Sequence, residues 1–147
     1  MNTLKRATLS AAVCLIGLAA GSRAQTVQVQ INSPEQGAEV GRKATVRGTI
    51  ADPKAQVFVL VRPVQDRYWW VQRVPHPSNQ DGSWETLCYF GTADEGPGEE
   101  FQIIALVTRG LREEQRFEDL PPYIARSETV KVRRRGRERP ESRAGWE

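Results

Sequence analysis

From Gln25 onward the apolar positions recur every second residue, the period of a strand with one buried face, rather than every 3.6 as in an amphipathic helix. Val27, Val29 and Ile31 alternate with Gln28 and Gln30, and after the turn cluster Ser33-Pro34-Glu35-Gln36-Gly37 the pattern resumes with Val46, Gly48 and Ile50. Val57-Phe58-Val59-Leu60-Val61 is apolar at every position, which predicts a central strand covered on both faces and ended by Pro63. Tyr68 to Gln72 reads as a short aromatic strand, and Asp81-Gly82 as a tight turn with positive φ. Trp84, Thr86, Cys88 and Phe90 then face inward, with Glu85 marking the wet side. Phe101 to Val107 and Thr129 to Val132 complete the series.

These are about seven strands separated by Gly, Pro and Asp, with no convincing helix between them. Parallel strands need long crossover connections, so this spacing predicts an antiparallel two-sheet sandwich. The one helix candidate, Leu111 to Leu120, is stopped by Pro121-Pro122 and reads as part of a long end-loop with a single helical turn at most.

A length of 147 residues allows one domain of ordinary size. The first 24 residues do not share the strand pattern. Lys5 and Arg6 form a positive start, Ala7 to Ala20 an apolar run, and Ser22-Arg23-Ala24 a small-residue cleavage site. The run is shorter than the roughly 18–20 residues of a spanning helix. Residues 1–24 are therefore expected to be a signal peptide, the protein periplasmic or secreted, and the mature chain without a transmembrane segment. Removing the leader changes the charge picture, because it holds Lys5, Arg6 and Arg23 and no acid. Much of the remaining positive charge lies in Arg133-Arg134-Arg135-Gly136-Arg137-Glu138-Arg139, so residues 25–132 form a mildly acidic domain and 133–147 a basic tail. That tail is expected to be disordered and dispensable for folding, with truncation after Val132 leaving stability unchanged.

Several segments, in order, resemble bacterial immunoglobulin-like domains. Ile31-Asn32-Ser33-Pro34, Gly37, Val40 and Val46-Arg47-Gly48 are similar to their first two strands. Asp81-Gly82-Ser83-Trp84 is similar to the turn and tryptophan before their fifth strand. Gly98, Phe101, Ile103 and Ala105 resemble the sixth, and Val130 and Val132 the last. The likeness spans residues 27–132. It implies an all-β, Greek-key, immunoglobulin-like antiparallel sandwich serving exported proteins as a spacer or recognition module. Tyr68-Trp69-Trp70 is more aromatic than that pattern requires, and residues 109–126 are longer than its usual loop.

Little in the sequence points to catalysis. His76 is the only histidine, and nothing brings Cys88 out of the core to meet it. Cys14 leaves with the leader, so Cys88 has no partner for an intramolecular disulfide, and its inward position predicts a buried, inert thiol. Zinc needs more His and Cys ligands than the chain offers, and no phosphate-binding glycine motif is present. Asp94-Glu95 and Glu99-Glu100 lack the alternating spacing of a calcium loop. No metal, cofactor or enzymatic activity is expected.

Two features remain as binding candidates. Alternation sends Trp69 one way and Tyr68 and Trp70 the other, so one side of this strand presents an aromatic outward, unless both tryptophans pack into the sandwich and its edge. Arg133, Arg134, Arg135, Arg137 and Arg139 are candidates for contact with a polyanion. The leading expectation is a non-enzymatic module for surface recognition or spacing, with another protein or a cell-envelope glycan as partner. A carbohydrate-binding module using Trp69 or Trp70 is the alternative.

Overall fold

The computed structural model describes residues 28–73 and 78–137. The expected leader (1–24), His76, Arg139 and the rest of the tail beyond Arg137 lie outside the described residues. Ten strands follow one another: β1 (Val29–Ser33), β2 (Glu39–Val40), β3 (Lys43–Ile50), β4 (Val57–Pro63), β5 (Trp69–Val71), β6 (Ser83–Tyr89), β7 (Glu100–Val107), β8 (Arg116–Phe117), β9 (Ala125–Arg126) and β10 (Val130–Arg134). They form a three-stranded sheet in the order β1-β3-β6 and a seven-stranded sheet in the order β2-β10-β7-β4-β5-β8, with β9 on β7. The fold is an all-β sandwich, as the alternation predicts.

Every strand expected from the pattern is present, and the three additional ones, β2, β8 and β9, are two residues each. Two residues carry no readable period, which is why the sequence does not announce them. Leu111 to Leu120 holds β8 and no helical turn. All pairings are antiparallel except β2 with β10, which runs parallel and joins Glu39–Val40 to Arg133–Arg134. No helix among the described residues is long and apolar enough to cross a membrane.

The interior between the sheets is built by period-2 faces. Val46, Ile50, Trp84 and Cys88 come from the smaller sheet, and Val57, Val59, Val61, Phe101, Ile103, Ala105, Val107, Val130 and Val132 from the larger. Phe90 meets Phe101 edge to face, with ring centroids 5.6 Å apart, the geometry that places a positive ring edge on a negative ring face. Gly48 stands opposite Trp84 across the β3–β6 ladder. A Cβ there would come within 2.2 Å of Trp84 Cζ2 and 2.0 Å of the Gln30 carbonyl oxygen, so only glycine lets the indole lie across β3. Gly82 has φ +80° and makes the tight turn into β6, as expected of Asp-Gly.

The other face of the larger sheet is covered too. Phe58, Leu60, Trp69, Val71, Ile104 and Leu106 form a second buried cluster, roofed by Leu111, Phe117 and Leu120 from the connection between β7 and β9. The unbroken apolar run of β4 has its explanation here, since odd positions enter the sandwich and even positions meet this roof.

Two expectations about the chain end are corrected. β10 continues past Val132 to Arg134, so the domain does not stop at residue 132, and Arg133 and Arg134 are strand residues rather than disordered tail. Ladder bonding to β7 and β2 holds them in place: Arg134 N donates to Glu99 O at 2.9 Å and Arg133 N to Ala38 O at 2.9 Å.

Candidate functional site

The two sheets differ in width, and the difference makes a site. β6 is the edge of the smaller sheet, whereas β5 and β8 continue the larger sheet beyond β4. Residues of β5 and β8 on the inner face therefore have no opposing strand to cover them. Trp70 is such a residue, because it stands opposite Val61 across the β4–β5 ladder and opposite Arg116 across β5–β8. Tyr68, two positions earlier, falls on the same side by strand alternation. Trp69 falls on the other side, opposite Phe117, and is only 6% exposed in the second core. The aromatic triplet is thus divided as the period-2 argument requires.

Arginine side chains cover these rings. The Arg62 guanidinium lies 4.5 Å from the Trp69 ring centroid, and Arg62 Nε donates to Gln102 Oε1 at 3.1 Å. Arg116 sits 4.7 Å from the Tyr68 ring and 5.6 Å from that of Trp70, and Arg67 lies 5.3 Å from Tyr68. Each contact sets a delocalised cation against a negative ring face.

Between this overhang and the edge of the smaller sheet runs a groove of about 560 Å³. Trp70 and Tyr89 line it, the latter projecting from the end of β6 and 44% exposed. The chain leaving β5 ties the two sheets together beside it. Gln72 N donates to Val59 O at 2.9 Å, and the Gln72 side-chain oxygen accepts from Tyr89 N at 2.8 Å. Thr86 Oγ1 donates to Arg73 O at 2.7 Å. Buried Gln72 and Thr86 are in this way satisfied by each other's sheet, and the spacing of the groove walls is fixed by hydrogen bonds.

Two loops complete the rim. Glu113 and Glu114 approach from the connection that bears β8, with Glu114 N donating to Val71 O at 3.0 Å and Val71 N to Gln115 O at 2.8 Å. Glu114 has φ 66°, in the left-handed region that costs a non-glycine residue energy. From the far side come Gly91, Thr92 and Glu95. This loop is held by Arg134, which is 6% exposed. Its Nη1 donates to the carbonyl oxygens of Phe90 at 2.7 Å, Thr92 at 2.6 Å and Glu95 at 2.8 Å. A buried guanidinium with no carboxylate beside it among the described residues is solvated instead by three backbone dipoles.

The polyanion candidates are therefore not one group. Arg134 is structural and closed to any ligand, while Arg133 pairs with Glu100 at 3.2 Å and Arg137 with Asp94 at 2.9 Å, all on the surface. Arg135 is exposed, and its backbone N–H donates to Val40 O at 3.0 Å. Two of these four described arginines already face acids of the same chain.

Cys88 is fully buried, and desolvation pushes its thiol well above the usual value, so the nucleophilic thiolate is suppressed. Asp81 is held below the usual carboxylate range by hydrogen bonds from the Ser83 hydroxyl at 2.6 Å and the Ser83 amide at 2.9 Å, a turn contact rather than a site. Among the described residues no group of His, Cys, Asp and Glu is placed to hold a metal ion. A second groove, between β1 and residues 123–130, exposes Tyr123 and Ile124 and is lined by one base, Arg126, and one acid, Glu128.

Tyr89, Glu113 and Glu114 were not among the sequence candidates, and Glu95 was weighed there only as a calcium ligand and set aside. Tyr89 read as a wet-face residue, and nothing local brings residues 70, 89, 95 and 114 together. The one available signal was the alternation Val130, Val132, Arg134, which carries the arginine inward.

No family model and no curated protein matches this sequence. Among solved structures, the endo-beta-1,4-mannanase from Thermotoga petrophila is similar at a TM-score of 0.48 and 12% identity, over 80% of this chain but only 22% of that one. A chain from a structure described as the structural basis of T cell specificity and activation by the bacterial superantigen toxic shock syndrome toxin-1 is similar at a TM-score of 0.37 and 8% identity, over 74% of this chain and 98% of that one. Likeness at this level bears on neither activity nor ligand.

Proposed function

We propose that the chain is a non-catalytic recognition module of an exported protein, an immunoglobulin-like sandwich that takes its ligand in the groove beside Trp70 and Tyr89. The strand order supports the immunoglobulin-like part of this reading. β1, β3 and β6 share one sheet and β4, β7 and β10 the other, the division of first, second and fifth strands from third, sixth and seventh in that architecture.

The observation that carries the binding part is the unmatched width of the sheets, which leaves two aromatic rings facing a walled groove. Exposed rings supply a large rigid contact area at low entropic cost, the usual anchors of protein recognition. The carbohydrate alternative asks for flat ring faces free to stack on sugars. Arg116 stands over both Tyr68 and Trp70, which favours a protein partner.

The test is affinity capture from an envelope extract with wild type and the double variant Trp70→Ala/Tyr89→Ala, after matching their melting temperatures. A species retained by wild type and lost by the variant is the expected result. Equal retention by both proteins would place recognition elsewhere. Soluble envelope glycans that shift the tryptophan fluorescence of wild type, but not of Trp70→Phe, would restore the carbohydrate alternative.

A further inference from the structure

We infer that the groove receives a basic, extended segment of a partner protein, seating a lysine or arginine side chain on Tyr89. The inference rests on the groove being the binding site and adds the chemistry of what binds there.

Charge is the first argument. Asp66, Glu95, Glu113 and Glu114 line the groove against a single base, Arg73. None of these four carboxylates joins an ion pair among the described residues, although four such pairs occur elsewhere on the surface. Asp66 is turned to its own turn, accepting from the amides of Arg67 at 2.7 Å and Tyr68 at 3.3 Å, so its charge adds to the field without anchoring a ligand. The field inside a low-dielectric groove lined on one side by aromatic and aliphatic surface is focused rather than screened. With four carboxylates against Arg73 in the lining, Arg116 over Trp70 and Arg134 behind the 90–95 loop, the balance stays negative and favours a cationic group over an anionic one.

The rings supply the second argument, and it is internal to the molecule. All three rings of the Tyr68-Trp69-Trp70 triplet carry a guanidinium of the same chain, from Arg62, Arg67 or Arg116. Among the described residues no cation stands over Tyr89, although it is the exposed ring of the groove. Glu95 lines the same groove. An incoming guanidinium or ammonium on Tyr89 repeats the arrangement made at each ring of the triplet, in a groove that Glu95 also lines.

The shape supports an extended rather than a globular occupant. The groove runs from Tyr89 at the end of β6 to Trp70 and Val71 of β5, and it is open at the surface. A strand-like segment fits a groove walled on opposite sides by the two sheets, sending alternate side chains to the two walls.

The experiment uses the mature chain and three blocked octapeptides: octa-arginine, octa-glutamate, and a neutral Gly-Ser peptide. Binding is read by calorimetry at low and at 0.5 M salt. Octa-arginine should bind and the other two should not, with affinity falling as salt rises. Glu95→Gln/Glu113→Gln/Glu114→Gln should weaken it by at least about tenfold, as should Tyr89→Ala, whereas Glu35→Gln/Glu39→Gln/Glu128→Gln, which removes the same charge outside the groove, should leave it unchanged. Equal weakening by both charge variants would reduce the effect to net charge and overturn the inference. No binding of octa-arginine would overturn it too. If the capture experiment still finds a partner that depends on Trp70 and Tyr89, the groove remains the site and only its preference for cations falls.

Discussion

The larger sheet has two buried faces that are covered in different ways. The inner face meets another sheet, whose strands are registered by long ladders such as the seven paired positions of β3 and β6 from Lys43–Tyr89 to Thr49–Ser83. The outer face meets Leu111, Phe117 and Leu120, carried by a connection whose only regular pairing is the two-residue β8 on β5. Both faces remove apolar surface from water, but only the first is locked by cooperative backbone bonding. A roof held by three half-buried side chains and a short run of backbone bonds to β5 can open locally while the sandwich stays intact. That roof also bears Glu113, Glu114 and Arg116, so a part of the fold with short ladders forms one wall of the groove.

The contrast is open to measurement. Ile103→Ala removes a fully buried side chain from the sandwich interior, and unfolding should become easier by about 3–4 kcal/mol, read from chemical denaturation. A loss near 1 kcal/mol would mean that the inner face is loosely packed and the contrast false. Arg134→Met should cost about 2–3 kcal/mol, since it removes the guanidinium bonds to three carbonyls, of which only Glu95 O keeps another donor, and should also loosen residues 91–95. Truncation after Val132 should be worse than Arg134→Met, as it also removes the last ladder positions on β7 and β2. An unchanged melting temperature after that truncation would return Arg133 and Arg134 to the tail.

Phe117→Ala is the informative case for the roof. Its global cost should stay near about 1–2 kcal/mol, because the side chain is only half-buried. Amide exchange should accelerate for Val71 and residues 111–117 and remain slow in β3 and β6. Uniform acceleration would show one cooperative unit. Smallest of all is Asp81→Asn, on neither face. The folded-state pKa of Asp81 is depressed, so its contribution is present above the unfolded value of 3.8 and is lost as pH falls through the folded value. The difference in melting temperature between wild type and Asp81→Asn should therefore be small at pH 7 and vanish in acid. A difference that persists at low pH would point to turn geometry rather than charge.

Long, periodic elements were legible in the sequence because burial imposes its period on them. Val57 to Val61 announced two covered faces, and Trp84, Cys88 and Phe90 announced one. What covered the second face was not legible. Leu111, Phe117 and Leu120 sit in a polar stretch at spacings that match neither strand nor helix, and their use depends on tertiary contact alone. The triplet Tyr68-Trp69-Trp70 could be divided by alternation, yet the groove could not be foreseen, because it arises from the unequal width of two sheets. Arg134 was lost among arginines that resemble it in every respect except the direction of its side chain. Composition sees a run of like charges where the backbone sees two faces.

The position of β10 in the chain has a consequence for how the protein comes into being. This strand is the last of the ten, yet it lies between β2 and β7 and carries the arginine that closes the loop after β6. During synthesis the ribosome releases β2 and β7 well before their shared neighbour exists. Until Val130–Arg134 emerges, the ladder positions of β7 that face β10 stay unpaired, and the carbonyls of Phe90 and Thr92 lack the Arg134 donor. The last described strand therefore closes both the larger sheet and the loop after β6.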